Sequence, residues 1–243
     1  MNITILIKFR AVLARKVNVR GMNVVLRALI LSDLFLYGGF GLIQPIFAVF
    51  MLQEITGSSV MAIGVATTIQ LVTKSILQLG IAKWTDAEPG NRRELLTLFA
   101  GSLIMSVVPF AYLWATALHH VFILQFVYGL GTALAYPGWI VIFARYTDDS
   151  KRGYEYSVYN TTIGLGVAAA AVLGGYFVQT YSFQHLFVLI GILSVIGAMF
   201  ILTIFKKEFT HFHFNKDEIK TLWQNDIKLK TSRLRTGAGK RSK

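Results

Sequence analysis

The chain has 243 residues, 54% of them hydrophobic and 15% charged, with a mean hydropathy of +0.56, values that belong to polytopic membrane proteins rather than soluble domains. Its 24 Lys and Arg against 12 Asp and Glu give a net charge of +12, but these cations sit mostly in two tails and two short loops between apolar blocks, so the charge does not point to nucleic acid. The absence of cysteine excludes disulfides, thiolate metal sites and Cys nucleophiles.

Residues 1–27 form a basic N-terminal segment. Residues 3–7 are too short for the apolar region of a signal peptide, Lys8 and Arg10 follow at once, and no small-residue cleavage site appears. Met22 opens "MNVVLRALILSD", so residues 1–21 read either as a basic membrane-surface stretch or as a consequence of start-site choice. Residues 28–205 then contain six apolar blocks, at 29–52, 59–82, 95–117, 121–144, 156–178 and 186–205. Each is about 20 residues or slightly more, which at about 1.5 Å per residue matches a hydrocarbon core of about 30 Å. The expected fold is all-α, with six transmembrane helices and no soluble domain.

In the first block Asp33, Tyr37, Gly41 and Gln44 share a helical face, and Pro45 removes a backbone donor and bends the helix. In the second, Thr67, Gln70, Lys74 and Gln78 share a face. Ionisable groups inside a span are costly and are functional candidates by default, which singles out Asp33 and Lys74. Lys74 lies about 12 Å and Asp33 about 6 to 9 Å from the same end of the bundle, depths that allow an ion pair. The alternative is that Lys74 snorkels to the interface and Asp33 is wetted near its helix start.

The stretch "IAKWTDAEPGNRRELL", residues 81–96, is a charged hairpin between the second and third blocks, turned at Pro89 and Gly90. The fourth block carries Gln125, Tyr128, Thr132 and Tyr136 on one face. Polar stripes on three helices imply one shared wet surface, a substrate or ion path; ordinary interhelical hydrogen bonding uses the same residue types. The fifth block is rich in small residues, with Gly166, Gly174 and Gly175 as helix-packing candidates. After the sixth block, residues 206–243 form a basic tail in which Ile219, Leu222, Trp223 and Ile227 are spaced as an amphipathic helix on an anionic leaflet. His211 and His213 in "HFHF" lack the carboxylate or Cys cluster that a metal site needs.

Cations precede the first block, lie between blocks two and three and between four and five, and follow block six; the other three connections have none. The positive-inside rule therefore places both termini in the cytoplasm, in a multi-pass protein of the cell (plasma or inner) membrane.

Three stretches carry a family resemblance. The hairpin with Asp86, Gly90, Arg92 and Arg93 is similar to the loop between helices two and three of the major facilitator superfamily, although Ala82 and Ala87 depart from its pattern and Gly90 lies one residue late. "VFILQFVYGLGTALAYPGW" resembles the family's fourth helix, and "KRGYEYSVYNTTIGLGVAAAAVLGGYF" its four-five loop, with Arg152, and fifth helix. Gln125 stands where many proton-coupled members have Arg, and Ala170 and Ala171 where drug antiporters often have Gly-Pro, so proton-coupled drug export is not carried over.

The resemblance implies one six-helix half of a fold whose members usually have two, with substrate between the halves. A homodimer or a separately encoded partner supplies the second half, and the commonness of two-fold self-association favours the homodimer. It also implies that Asp86 meets a helix N-terminus of the opposite half and locks one conformation, with Arg92, Arg93 and Arg152 completing the network; a solvated charged turn is the plainer alternative. No P-loop, G-x-S-x-G or His-carboxylate cluster within a span is present, so no enzyme activity and no cofactor or metal are expected. The expected function is transport of a small solute by alternating access. The alternatives are a non-transporting assembly or sensor module, and a truncated gene product.

Overall fold

The structure is a computed structural model that describes residues 22–87 and 92–205. The expectations for residues 1–21, Pro89, Gly90 and the tail from 206, including His211, His213 and the amphipathic spacing, lie outside the described residues.

Six helical spans are long and apolar enough to cross a membrane: Val24–Glu54, Val60–Asp86, Arg92–Trp114, Leu118–Tyr146, Arg152–Thr180 and Phe183–Phe205. No strand is present among the described residues beyond an isolated bridge between Thr56 and Ala117. The first, fourth, fifth and sixth spans contain their apolar blocks, whereas the second starts one residue inside its block and the third ends three residues short; the helices also run on into charged sequence, to Asp86 at the end of the second and back to Arg92 and Arg152 at the starts of the third and fifth. Hydropathy falls where the charges begin, but the backbone ladder has no reason to stop there, since headgroup and water solvate the charged side chains. Within residues 81–96 the described chain is therefore helical up to Asp86 and again from Arg92.

Local chemistry fixes the helix ends. Asn23 accepts a hydrogen bond from the Val25 N–H at 3.0 Å and Ser59 from the Ala62 N–H at 3.1 Å, each satisfying an N-terminal donor. Pro45 breaks the first span into helix Val24–Ile43, a 3₁₀ turn Gln44–Ile46 and helix Phe47–Glu54, because proline cannot donate to the ladder. The connection to the second span turns at Gly57, whose φ of +77° is a conformation that favours glycine.

In lipid the spans gain little from hiding apolar surface, so close backbone approach and dispersion hold them together. The fourth span packs on the second and third, and the first on the fifth. Gly129 on the fourth span faces the Gln70 carbonyl so closely that a Cβ there would lie 2.6 Å from its oxygen. Gly174 on the fifth faces the Leu42 carbonyl of the first in the same way. The sixth span reaches the first through the stacked rings of Phe35 and Phe200, 5.6 Å apart, and the third through Tyr112 and Phe187, 5.0 Å apart. Phe50 joins Phe187 and Phe183 at 4.9 and 5.3 Å, so an aromatic core closes the bundle at the end away from the cations.

Burial is uneven. In the second and fifth spans only 17% and 11% of the most apolar window is buried, against 39% or more in the other four. Exposed Leu79 on the second span and Leu165, Val172 and Leu173 on the fifth leave broad apolar faces uncovered.

Candidate functional site

A cavity of about 460 Å³ opens among the spans. Its polar wall is made by Tyr37 and Gln44 of the first span, Thr67 and Gln70 of the second, and Gln125 and Tyr128 of the fourth. The three stripes expected from helical spacing thus contribute to one cavity, with Tyr112 of the third span as a further hydroxyl. The spacing works because residues three and four apart lie one above the other on a helix. Ile163 and Val167 of the fifth span complete one apolar side, so the cavity borders both of the least buried spans.

No charged side chain lines this cavity among the described residues. Gln125 donates from Nε2 to the Tyr112 hydroxyl at 3.2 Å, while its Oε1 is buried without a partner. Phe40 packs against Tyr128 with ring centroids 4.6 Å apart, and the Tyr112–Phe187 stack forms another part of the wall.

Beyond Tyr37, which borders both spaces, lies a recess of about 20 Å³, room for a single water. Asp33, Thr132, Tyr136 and Trp139 line it. Asp33 is only 5% exposed, and its Oδ2 accepts a hydrogen bond from the Tyr159 hydroxyl of the fifth span at 2.9 Å. Trp139 stands beside Tyr159 with ring centroids 5.0 Å apart and lines the recess together with Asp33. Thr132 spends its hydroxyl on the Tyr128 carbonyl, at 2.8 Å.

The structure does not join Asp33 to Lys74. The Lys74 ammonium sits over the Tyr136 ring, 4.4 Å from its centroid, a cation–π contact that holds the charge at the edge of the recess. Gln78 lines neither space, although its Oε1 is buried without a partner. Among the packing glycines, Gly166 meets the Leu34 side chain and Gly174 the Leu42 carbonyl, but Gly175 has nothing within 4 Å of where its Cβ would be. Consecutive helical residues point about 100° apart, so Gly175 cannot share the face that Gly174 turns to the first span.

At the cationic end Asp86 is exposed as the last residue of the second span. Arg93 donates to the Trp84 carbonyl at 2.9 Å and lies over the Trp84 ring. Arg92 is exposed, and Arg152 pairs with Asp149 at 2.6 Å within its own loop. A pair that the sequence reading passed over joins the third and fourth spans here: Arg145 Nη2 lies 2.8 and 3.0 Å from the two carboxylate oxygens of Glu94, which is 6% exposed. Tyr159 and Trp139 were missed too. A buried carboxylate demands a donor, and Tyr159, two helical turns before Gly166, was the fifth-span hydroxyl on the face turned to the first span.

The family model described as Major Facilitator Superfamily matches residues 29–235. Comparison with curated proteins finds no match. Among solved structures, the chain is similar to the in meso crystal structure of a POT family transporter, PepTSo, with a TM-score of 0.62 and 16% identity over 76% of this chain. At that identity the likeness concerns the fold, and this chain spans 37% of the length of that one. With six apolar spans in the described residues and a family match over most of its length, the chain is a multi-pass membrane protein that belongs to the major facilitator superfamily.

Proposed function

We propose that these six spans are one half of a secondary transporter, that a second copy of the chain supplies the other half, and that a small solute crosses between them by alternating access in the cell membrane. The observation that carries this reading is the cavity: neutral hydrogen-bonding groups from four spans converge on one space that borders the second and fifth spans, the two left largely uncovered. A second six-span set seated on those faces covers the exposed apolar surface and closes the cavity, and a two-fold axis along the membrane normal keeps both copies in one orientation. The cations at the ends of the second, fourth and fifth spans support a cytoplasmic location for that end, with Asp86 and Arg152. Asp33, an intramembrane carboxylate next to the cavity, is the group to which ion coupling is assigned.

The test is release from liposomes. Protein reconstituted into vesicles loaded with a defined mixture of neutral and charged metabolites should release at least one of them faster than protein-free vesicles do, and a Gln125→Met variant should slow that release. Equal release from both kinds of vesicle for every solute contradicts transport.

A further inference from the structure

We propose that the cavity selects uncharged amphiphiles: molecules with an aromatic or branched apolar body, at least one N–H or O–H donor, and no formal charge. This rests on the reading of the cavity as the solute site and names its ligand class. Every polar side chain that the described residues bring to the wall is a neutral amide or hydroxyl, so a charged ligand would surrender its hydration with no counter-ion among them. The two intramembrane charges nearby are engaged elsewhere: Asp33 accepts from Tyr159, and Lys74 lies over Tyr136. Neither lines the cavity.

The donor requirement comes from Gln125. Its Nε2 is given to Tyr112 and its buried Oε1 has no partner; because the side chain lines the cavity, a rotation of the amide brings that unmet acceptor to a ligand N–H or O–H. The apolar requirement comes from the Phe40–Tyr128 and Tyr112–Phe187 pairs, which offer ring faces and edges for an aromatic body. The volume of about 460 Å³ falls within the range of small-molecule sites.

The experiment measures equilibrium binding to the purified protein in lipid nanodiscs with three probes built on one body. They are N-acetyltyrosinamide, which is neutral, N-acetyltyrosine, an anion, and tyrosinamide, a cation at mildly acidic pH. The neutral probe should bind at least about tenfold tighter than either charged one. Gln125→Met, at an unchanged melting temperature, should weaken the neutral probe by about fivefold. If that variant fails to fold, the comparison of probes on the unaltered protein still decides. A charged probe binding as tightly as the neutral one, no binding of the neutral probe up to its solubility limit, or a folded Gln125→Met variant with unchanged affinity overturns the assignment. Vesicle uptake of the same probes separates the two readings. Tight neutral binding without uptake upholds the ligand class and contradicts transport, whereas uptake of a charged probe alone contradicts the class and upholds transport.

Discussion

The Tyr159 hydroxyl donates to the Asp33 carboxylate at 2.9 Å, and that contact sets what substitutions at either residue do. In Asp33→Asn the amide oxygen still accepts from Tyr159, so thermal unfolding should change by no more than about 1 kcal/mol. If Asp33 couples an ion, the same variant should lose gradient-driven accumulation by at least about tenfold while solute exchange without a gradient persists. Tyr159→Phe is the opposite case: it takes the Tyr159 donor away from a buried carboxylate and should cost about 1 to 3 kcal/mol in unfolding. A finding that Asp33→Asn destabilises more than Tyr159→Phe would reverse this account. Outside the spans, Ser150 donates from its hydroxyl and its N–H to the Asp148 carboxylate, at 2.7 and 2.9 Å, and these bonds hold that carboxyl below its usual pKa. A depressed pKa stabilises the loop above the ordinary carboxylate range, and the contribution fades as pH falls through the lowered value. The protection of amides 147–152, taken relative to their intrinsic exchange rates, should therefore fall on the acid side of that range, with a smaller fall in Asp148→Asn. The candidacy of Asp33 was readable from one charge in an apolar run, but its partner was not, because hydroxyl-bearing residues recur along every span and only packing chooses among them.

Packing between spans rests on a few close approaches. Gly129→Ala places a methyl against the Gln70 carbonyl, and Gly174→Ala against that of Leu42; each should destabilise the bundle by about 1 to 3 kcal/mol in a reversible unfolding titration. Gly175→Ala, with open space around its Cβ, should stay within about 0.5 kcal/mol of the parent. Loss of stability in the Gly175 variant comparable to that of Gly174 would mean that another surface covers that face. All six spans and the break at Pro45 were legible because length, hydropathy and proline chemistry are local properties. Which spans pair was not legible. A membrane helix is apolar almost all round, so the contrast that marks the inner face of a soluble helix is missing, and Gly174 and Gly175 look equivalent until the helix is seen against its neighbour. The charged hairpin misled in the same way, since its charges mark where lipid ends and not where helix ends.

At the scale of the whole molecule, orientation and assembly decide whether the cavity can serve as a path. The absence of cysteine makes orientation directly measurable with single introduced thiols. Lys83→Cys and Ser150→Cys should be labelled by an impermeant reagent only from the cytoplasmic side, and Thr56→Cys and His119→Cys only from the other; the reverse pattern would invert the topology. Membrane burial and cation placement made the six-span architecture readable from sequence, whereas the cavity depends on side chains from several spans meeting and could only be anticipated as stripes. The proposed transporter then stands on two such sets facing each other across the second and fifth spans. The mass of the purified protein in lipid nanodiscs, with the lipid and scaffold contribution subtracted, tests this most directly. The account predicts twice the 27.1 kDa of one chain, and a single-chain mass at every protein concentration would contradict it.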